Sequence, residues 1–337
     1  MSITAKEIAK LAGVSRGTVD RALKDRPGIN AETKKRILDI AVKYDYKPNI
    51  IGKALVYSGK TVEVQVVLNS VGNPFFDDVK AGIFAAAEEF SNYGFKISLS
   101  EFKGYDSNEL FEILEDLPSD TKHLILTPIR SDKIERKIQE LINSGVKVIL
   151  LSNTIDNVHG ATYVGCDYLK SGEVAGRLLG LLSAGRANLF IVTGTLDHKG
   201  HAQRVEGIKE VIRNEYPGIR LLGVSENGDD DDTAYYNMKS ILKEYTKLDF
   251  VFITAGGVTG TLRALRDHKR DVRVCAFDDT SVVKDALLTG NVMATICQQP
   301  YEQGYQSVKA IFDTVIKKQP VDENIYSELF IKVDKSL

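Results

Sequence analysis

The chain has 337 residues, 43% of them hydrophobic, with 44 Lys and Arg against 46 Asp and Glu and three cysteines. That length is too great for one typical domain, and nothing approaches the roughly 18 consecutive apolar residues of a membrane span. The net charge of −2 says little by itself, but residues 1–60 carry a net +7 and the remainder −9, so only the first part is expected to meet a polyanion.

The start, MSITAKEIAK, has no apolar run behind a basic segment, so a cytoplasmic protein with no membrane partner is expected. Cys166, Cys275 and Cys297 are far apart and in apolar surroundings. They read as buried reduced thiols, not as a disulfide framework or metal site.

The stretch TAKEIAKLAGVSRGTVDRAL (4–23) reads as two short helices and a tight turn. Thr4 and Glu7 have capping-box spacing, and Ile8, Leu11 and Ala12 make an inner face. Gly13 stands where the first helix must stop, because glycine takes a left-handed conformation without a Cβ clash. Ser15 caps a second helix with Val19, Ala22 and Leu23 inside. Its outer residues Arg16, Gly17, Thr18, Asp20 and Arg21 suit base edges and phosphates in a major groove. A hairpin that only packs would have no use for that basic face. Asn30 caps a third helix with Ile37, Leu38, Ala41 and Tyr44 inside, and Lys34, Lys35 and Arg36 outside as a solvated face or as phosphate contacts. Pro48-Asn49 ends this unit, and IIGKALVYSGK (50–60) reads as a hinge that becomes a turn or two of helix once a partner supports it.

After Thr61 strands and helices alternate. Strands are predicted at 62–70, 95–102, 123–129 and 146–153, with helices at 77–93, 108–117 and 132–144 between them. The pattern then restarts with a helix at 168–184. Strands follow at 188–194, 219–226, 249–255 and 272–278, with helices at 202–215, 233–245, 260–267 and 282–288. ATICQQP (294–300) and a helix from Tyr305 to Ile316 complete it. Two such halves predict two doubly wound parallel-sheet lobes whose strand carboxyl ends face a common cleft.

The order of helix-turn-helix, hinge and bilobed α/β body resembles the lac-repressor/galactose-repressor family of bacterial transcription regulators, over essentially the whole chain. The resemblance is carried by EIAKLAGVSRGTVDRAL, YDYKPN, NPFF (73–76), VGCD (164–167), FDDT (277–280) and TICQQP (295–300). The body alone is similar to periplasmic sugar-binding proteins such as the ribose receptor. The resemblance implies a helix-turn-helix domain at 1–47, a hinge at 48–60 and an effector-binding and dimerisation body at 61–337. It divides the body into lobe 1 at about 61–162 and 296–325, and lobe 2 at about 163–295 and 326–337.

It assigns Arg16, Gly17 and Arg21 to base-reading positions and Leu55 to a minor-groove wedge, with Gly52 where the family often has alanine. Thr4, Ser15, Thr18, Asn30 and Asn49 complete the candidate DNA-contacting set. In the body it assigns Phe75 and Phe76 to the apolar faces of a sugar, and Arg204, Asp278 and Gln298 to its hydroxyls. Ser152 and Asn153 stand where sugar receptors often carry Asp-Arg, so simple ribose is not the expected ligand. The loop Asp229 to Asp232 reads as a solvated acidic turn or as the source of a ligand carboxylate. His198 and His201 have no cysteine nearby, so one of them reads as a hydrogen-bond partner of the ligand in preference to metal ligation.

Gly59-Lys60-Thr61 is not a phosphate loop, because the glycine that motif needs is Ala54 and the segment precedes a strand. No nucleophile–base set is present in the sequence. The expectation is therefore a non-enzymatic, homodimeric repressor of double-stranded DNA operators. It needs no cofactor, and a small sugar or cyclitol acts as its effector. A solute receptor for a transporter and a sugar enzyme with a fused DNA-binding unit are the competing classes.

Overall fold

The computed structural model describes residues 3, 5–23, 26–44 and 61–334, and the chain divides into two compact units near Thr61–Val62. Thr4 and the hinge residues Asn49, Gly52 and Leu55 lie outside the described residues.

The first unit is three helices: α1 (Ala5–Ala12), α2 (Arg16–Leu23) and α3 (Ala31–Lys43). Its core is Ile8, Ala9, Ala12, Val19, Ala22 and Ile37. Leu11, expected inside, is 54% exposed. At 100° per residue Ala12 and Ala9 follow Ile8 round one side of the helix, whereas Leu11 falls on the opposite flank. Leu38 and Tyr44 are likewise exposed, and Ile40 packs in their place. Leu38 lies on a flank of α3, and Tyr44 caps its end beyond the core. Gly13 has φ +64°. Val14 N–H donates to Ala9 O at 3.0 Å and Gly13 N–H to Lys10 O at 3.4 Å, the paired bonds that close a helix on a left-handed residue.

The second unit holds two six-stranded sheets. The strands of the first are β1 (Val62–Leu68), β2 (Phe95–Glu101), β3 (His123–Leu126), β4 (Lys147–Leu151), β5 (Thr162–Gly165) and β11 (Asn324–Tyr326), in the order β11-β5-β4-β3-β1-β2 and all parallel. The second contains β6 (Ala187–Thr193), β7 (Ile219–Glu226), β8 (Phe250–Ile253), β9 (Arg273–Phe277), β10 (Ala294–Cys297) and β12 (Phe330–Lys332), ordered β12-β10-β9-β8-β6-β7, with only β12 antiparallel. The inner strands are almost wholly buried runs such as VVL and FVFI, as helices on both faces require. Helices α4 (Phe75–Glu89), α5 (Ser107–Glu115), α6 (Asp132–Asn143) and α12 (Pro300–Phe312) flank the first sheet. Helices α7 (Tyr168–Leu182), α8 (Lys199–Glu215), α9 (Asp231–Glu244), α10 (Val258–Asp267) and α11 (Ser281–Leu288) flank the second.

Three strands were not anticipated: β5, β11 and β12. Each has three or four residues, too few to show periodicity. They also move the lobe boundaries. β5 keeps the first sheet through Gly165 instead of ending it at 162, and β10 keeps the second through Cys297 instead of 295. The chain crosses between lobes at 165–168, 297–300 and 326–330, and Leu329 packs against the cores of both. The three cysteines are buried and free.

Helices α7 and α8 cross where only glycine fits. A Cβ on Gly172 would stand 2.3 Å from Arg204 O, and one on Gly207 would stand 2.4 Å from Leu169 O. This close crossing fixes the part of α8 that carries Arg204.

Candidate functional site

The first unit presents α2. Ser15 Oγ accepts Thr18 N–H at 3.1 Å and bonds Thr18 Oγ1 at 2.9 Å, so both side chains serve the helix start. Asn30 Oδ1 accepts Thr33 N–H at 2.7 Å and caps α3 in the same way. Arg16, Gly17 and Arg21 are exposed, while Val19 and Ala22 anchor the opposite face. Asp20 lies 3.9 Å from Arg26, a weak solvated pair. The geometry is a capped helix with a cationic outer face, a surface of the kind that suits a groove of DNA.

The cleft of the second unit is built from strand ends. Its lining follows β1 (Asn69, Asn73, Phe75, Phe76), β2 (Tyr105), β3 (Thr127) and β4 (Ser152) in one lobe. It follows β6 (His198, His201, Arg204), β7 (Asp229), β8 (Ala255, Gly256), β9 (Asp278) and β10 (Gln298) in the other, with Tyr168 at a crossing. In both sheets a strand and its two neighbours open a crevice at the carboxyl edge, where α/β folds bind ligands. The crevice is partly open to solvent, with a cavity volume of about 50 Å³.

Arg204 is the centre of this site. It is 2% exposed, and its guanidinium carbon lies 4.0 Å from the Phe277 ring centroid and 4.7 Å from that of Tyr168. One Nη1 hydrogen bond goes to Thr254 O at 2.7 Å, while Nε and Nη2 are buried with no partner. Asn69 Oδ1 and Thr127 Oγ1 are buried and unpartnered too. Each such group costs about 1–3 kcal/mol unless something bonds it, so the cleft is prepared for a polar occupant.

Asp278 sits at φ +65°, and its Oδ1 accepts Gln298 Nε2–H at 2.8 Å. Burial raises its pKa, while the Arg204 charge and the Gln298 bond act against that rise. Asp229 Oδ1 accepts Gly256 N–H at 2.7 Å, and Oδ2 accepts the Tyr105 hydroxyl.

His198 and His201 stack at 4.1 Å. His198 Nδ1 accepts His201 N–H and His201 Nδ1 accepts Thr195 N–H, each at 3.3 Å. Both rings therefore carry their proton on Nε2 when neutral. Burial, followed by the neighbouring His201, holds His198 well below the usual histidine range, while burial and Arg204 hold His201 down at about 3. The pair is thus neutral near pH 7. Its share of stability is complete above about pH 6.5 and lost as the unfolded histidines take up protons below it.

Of the residues expected here, Phe75, Phe76, Ser152, Arg204, Asp278 and Gln298 line the cleft. Asn153 does not. Its Nδ2 donates to Pro128 O at 2.9 Å and its Oδ1 accepts Gly200 N–H at 3.4 Å, so it ties the lobes and lies outside the cavity lining. The left-handed turn at Ser152, φ +58°, sends the two side chains apart, and Ser152 Oγ donates to Gln303 Oε1 at 2.8 Å. In the acidic loop only Asp229 lines the cavity. Asp230 caps α9, Asp231 accepts Gly260 N–H, and Asp232 pairs with Arg263. Asn69, Tyr105, Thr127 and Tyr168 were missed, and their only sequence signal is position, just past a strand's carboxyl end or at a helix start. Among the described residues no cluster of three His, Cys, Asp or Glu could hold a metal, and no helix is long and apolar enough to cross a membrane.

Fold and cleft together define a bilobed binding body, joined in one chain to a helix-turn-helix unit. The chain belongs to the family of periplasmic binding protein domains, matched over residues 64–319, and residues 4–49 match the bacterial regulatory proteins of the lacI family. Catabolite control protein A of Priestia megaterium is 24% identical over 331 residues, 96% of each chain. The ribose operon repressor of Bacillus subtilis is 23% identical and covers 95% of this chain and 94% of its own. Among solved structures, GanP, a glucose-galactose binding protein from Geobacillus stearothermophilus, aligns with a TM-score of 0.76 at 23% identity. It covers 82% of this chain and 99% of its own, a likeness of fold alone.

Proposed function

We propose that this protein is a transcription repressor that binds DNA through α2 and is controlled by a small sugar or cyclitol held between its lobes. It acts as a homodimer in the cytoplasm, so that two copies of α2 meet a two-fold operator. The observation that carries the reading is the presence in one chain of a capped basic helix pair and a cleft centred on a buried, half-partnered arginine. A solute receptor would have no use for residues 4–49, which match the lacI family. The relatives' printed names point to regulation as well, one of them a ribose operon repressor.

Charge narrows the effector. Arg204 is the cation of the cleft, Asp229 and Asp278 are its carboxylates, and the histidines are neutral. A phosphate of charge −1.5 to −2 would face two carboxylates with one cation to balance it. Uncharged polyols fit, because hydroxyls both donate to Asp278 and accept from Arg204.

A thermal-shift screen of the full chain tests this with pairs: glucose and glucose 6-phosphate, myo-inositol and its monophosphate, and further neutral monosaccharides. At least one neutral member is expected to stabilise by RT ln(1 + [L]/Kd), about 2.7 kcal/mol at one hundred times Kd. Stabilisation by phosphorylated members alone would overturn the effector class.

A further inference from the structure

We propose that Tyr105 and Asp229 form a latch that holds the two lobes closed and so governs how tightly the cleft keeps its occupant. The proposal rests on the bilobed cleft and holds whichever effector the cleft takes. Tyr105 lies in the loop after β2, the outer strand of the first sheet, and Asp229 in the loop after β7, the outer strand of the second. The Tyr105 hydroxyl donates to Asp229 Oδ2, joining loops 124 residues apart in the chain. Such a bond exists only while the lobes are together.

Asp229 is held ready for it. Its N–H donates to Asn227 Oδ1 at 2.8 Å, and its Oδ1 accepts Gly256 N–H at 2.7 Å. Asn227 Nδ2 donates to Gly256 O at 2.9 Å and locks the pair of loops. Oδ2 is therefore the oxygen left to face the first lobe. On the other side the Tyr105 ring stands edge-on to His198 and His201, with centroids 6.0 and 6.4 Å away. Burial, with Asp229 second, pushes the hydroxyl well above its usual pKa, so it remains a donor across the physiological range.

At the 165–168 crossing the Tyr168 hydroxyl donates to Ser152 O, and two further cross-lobe contacts away from the crossings are weaker. Lys199 meets Asp156 at 2.6 Å, but their side chains are 32% and 53% exposed, and salt screens such a pair. Gly200 N–H reaches Asn153 at a long 3.4 Å. The Tyr105–Asp229 bond is half-buried, charge-assisted and beside the cavity, so it contributes most to holding the closed state. A residue that stabilises the closed state raises apparent effector affinity through the population of that state, in addition to any contact it makes with the effector itself.

The test uses the full chain, dialysed and free of added sugar or DNA. Spin labels at Glu109→Cys on α5 and Ser240→Cys on α9 report the lobe separation by pulsed electron resonance, because the native cysteines are buried. The otherwise unaltered chain is expected to show a substantial short-distance population. Tyr105→Phe keeps the ring and removes the donor, and it is expected to reduce the ratio of closed to open about tenfold, the worth of a hydrogen bond to a charged group. Asp229→Asn keeps an oxygen for Gly256 and is expected to open the lobes less. The double variant should open no further than Tyr105→Phe alone.

Unchanged distances in Tyr105→Phe, additive opening in the double variant, or lobes open throughout in the unaltered chain would each overturn the latch. If Tyr105→Phe does not fold, unchanged distances in Asp229→Asn overturn it instead. With no DNA or sugar in the tube, failure here leaves the regulatory reading standing.

Discussion

Asp278→Asn is expected to weaken effector binding by roughly tenfold to a hundredfold, the cost of losing one charge-assisted acceptor at about 1.5–3 kcal/mol. Operator binding should be unchanged. Asparagine tolerates the φ of +65° that Asp278 adopts, so the backbone after β9 keeps its course. The partner amide of Gln298 can turn to match it. What is lost is the carboxylate beside Arg204, the group proposed to receive ligand hydroxyls. Calorimetry with the sugar or cyclitol that stabilises the chain measures this, and a dissociation constant within twofold of the unaltered protein would remove Asp278 from the effector site.

The second large effect is expected at the other end of the chain. Arg21→Ala should reduce operator affinity by on the order of a hundredfold, because a lost base or phosphate contact costs about 1–3 kcal/mol and the proposed dimer would lose two. Fluorescence anisotropy at fixed salt measures it. Effector binding should stay intact. The helix itself should survive, since Val19 and Ala22 carry its packing and Arg21 is exposed. Equal operator affinity in the two proteins would contradict the assignment of α2 as the reading helix.

The alternation of strands and helices was legible because buried parallel strands are unbroken apolar runs, and the helices between them are amphipathic. VEVQVVL and DFVFITA could hardly be anything else. TYVG and the two three-residue strands near the carboxyl end were invisible, since so short a strand has no period of its own. Tertiary geometry also overruled pattern at Leu11. A bulky apolar residue at i+3 from Ile8 looked internal, yet the core formed on the alanine side.

The site was legible where a family motif marked it. Phe75, Phe76, Arg204, Asp278 and Gln298 were named from the sequence, and all line one cavity. Asn153 was named by position and lies outside the cavity lining, because the backbone turns left-handed at Ser152 and directs it to Pro128 O. Tyr105 had no motif. Its partner Asp229 could not be told from a solvated acidic loop, for the two meet only through folding of loops 124 residues apart.

Occupancy of the cleft and DNA binding by α2 are expected to be coupled within one molecule. The direct measurement is the affinity of the full chain for an operator selected from random-sequence DNA, taken with and without a saturating amount of the sugar or cyclitol found in the thermal-shift screen. A change of at least about fivefold is predicted, corresponding to a coupling of 1 kcal/mol or more, with the same factor appearing in effector affinity when DNA is saturating. Operator affinities that coincide with and without a bound effector would contradict it.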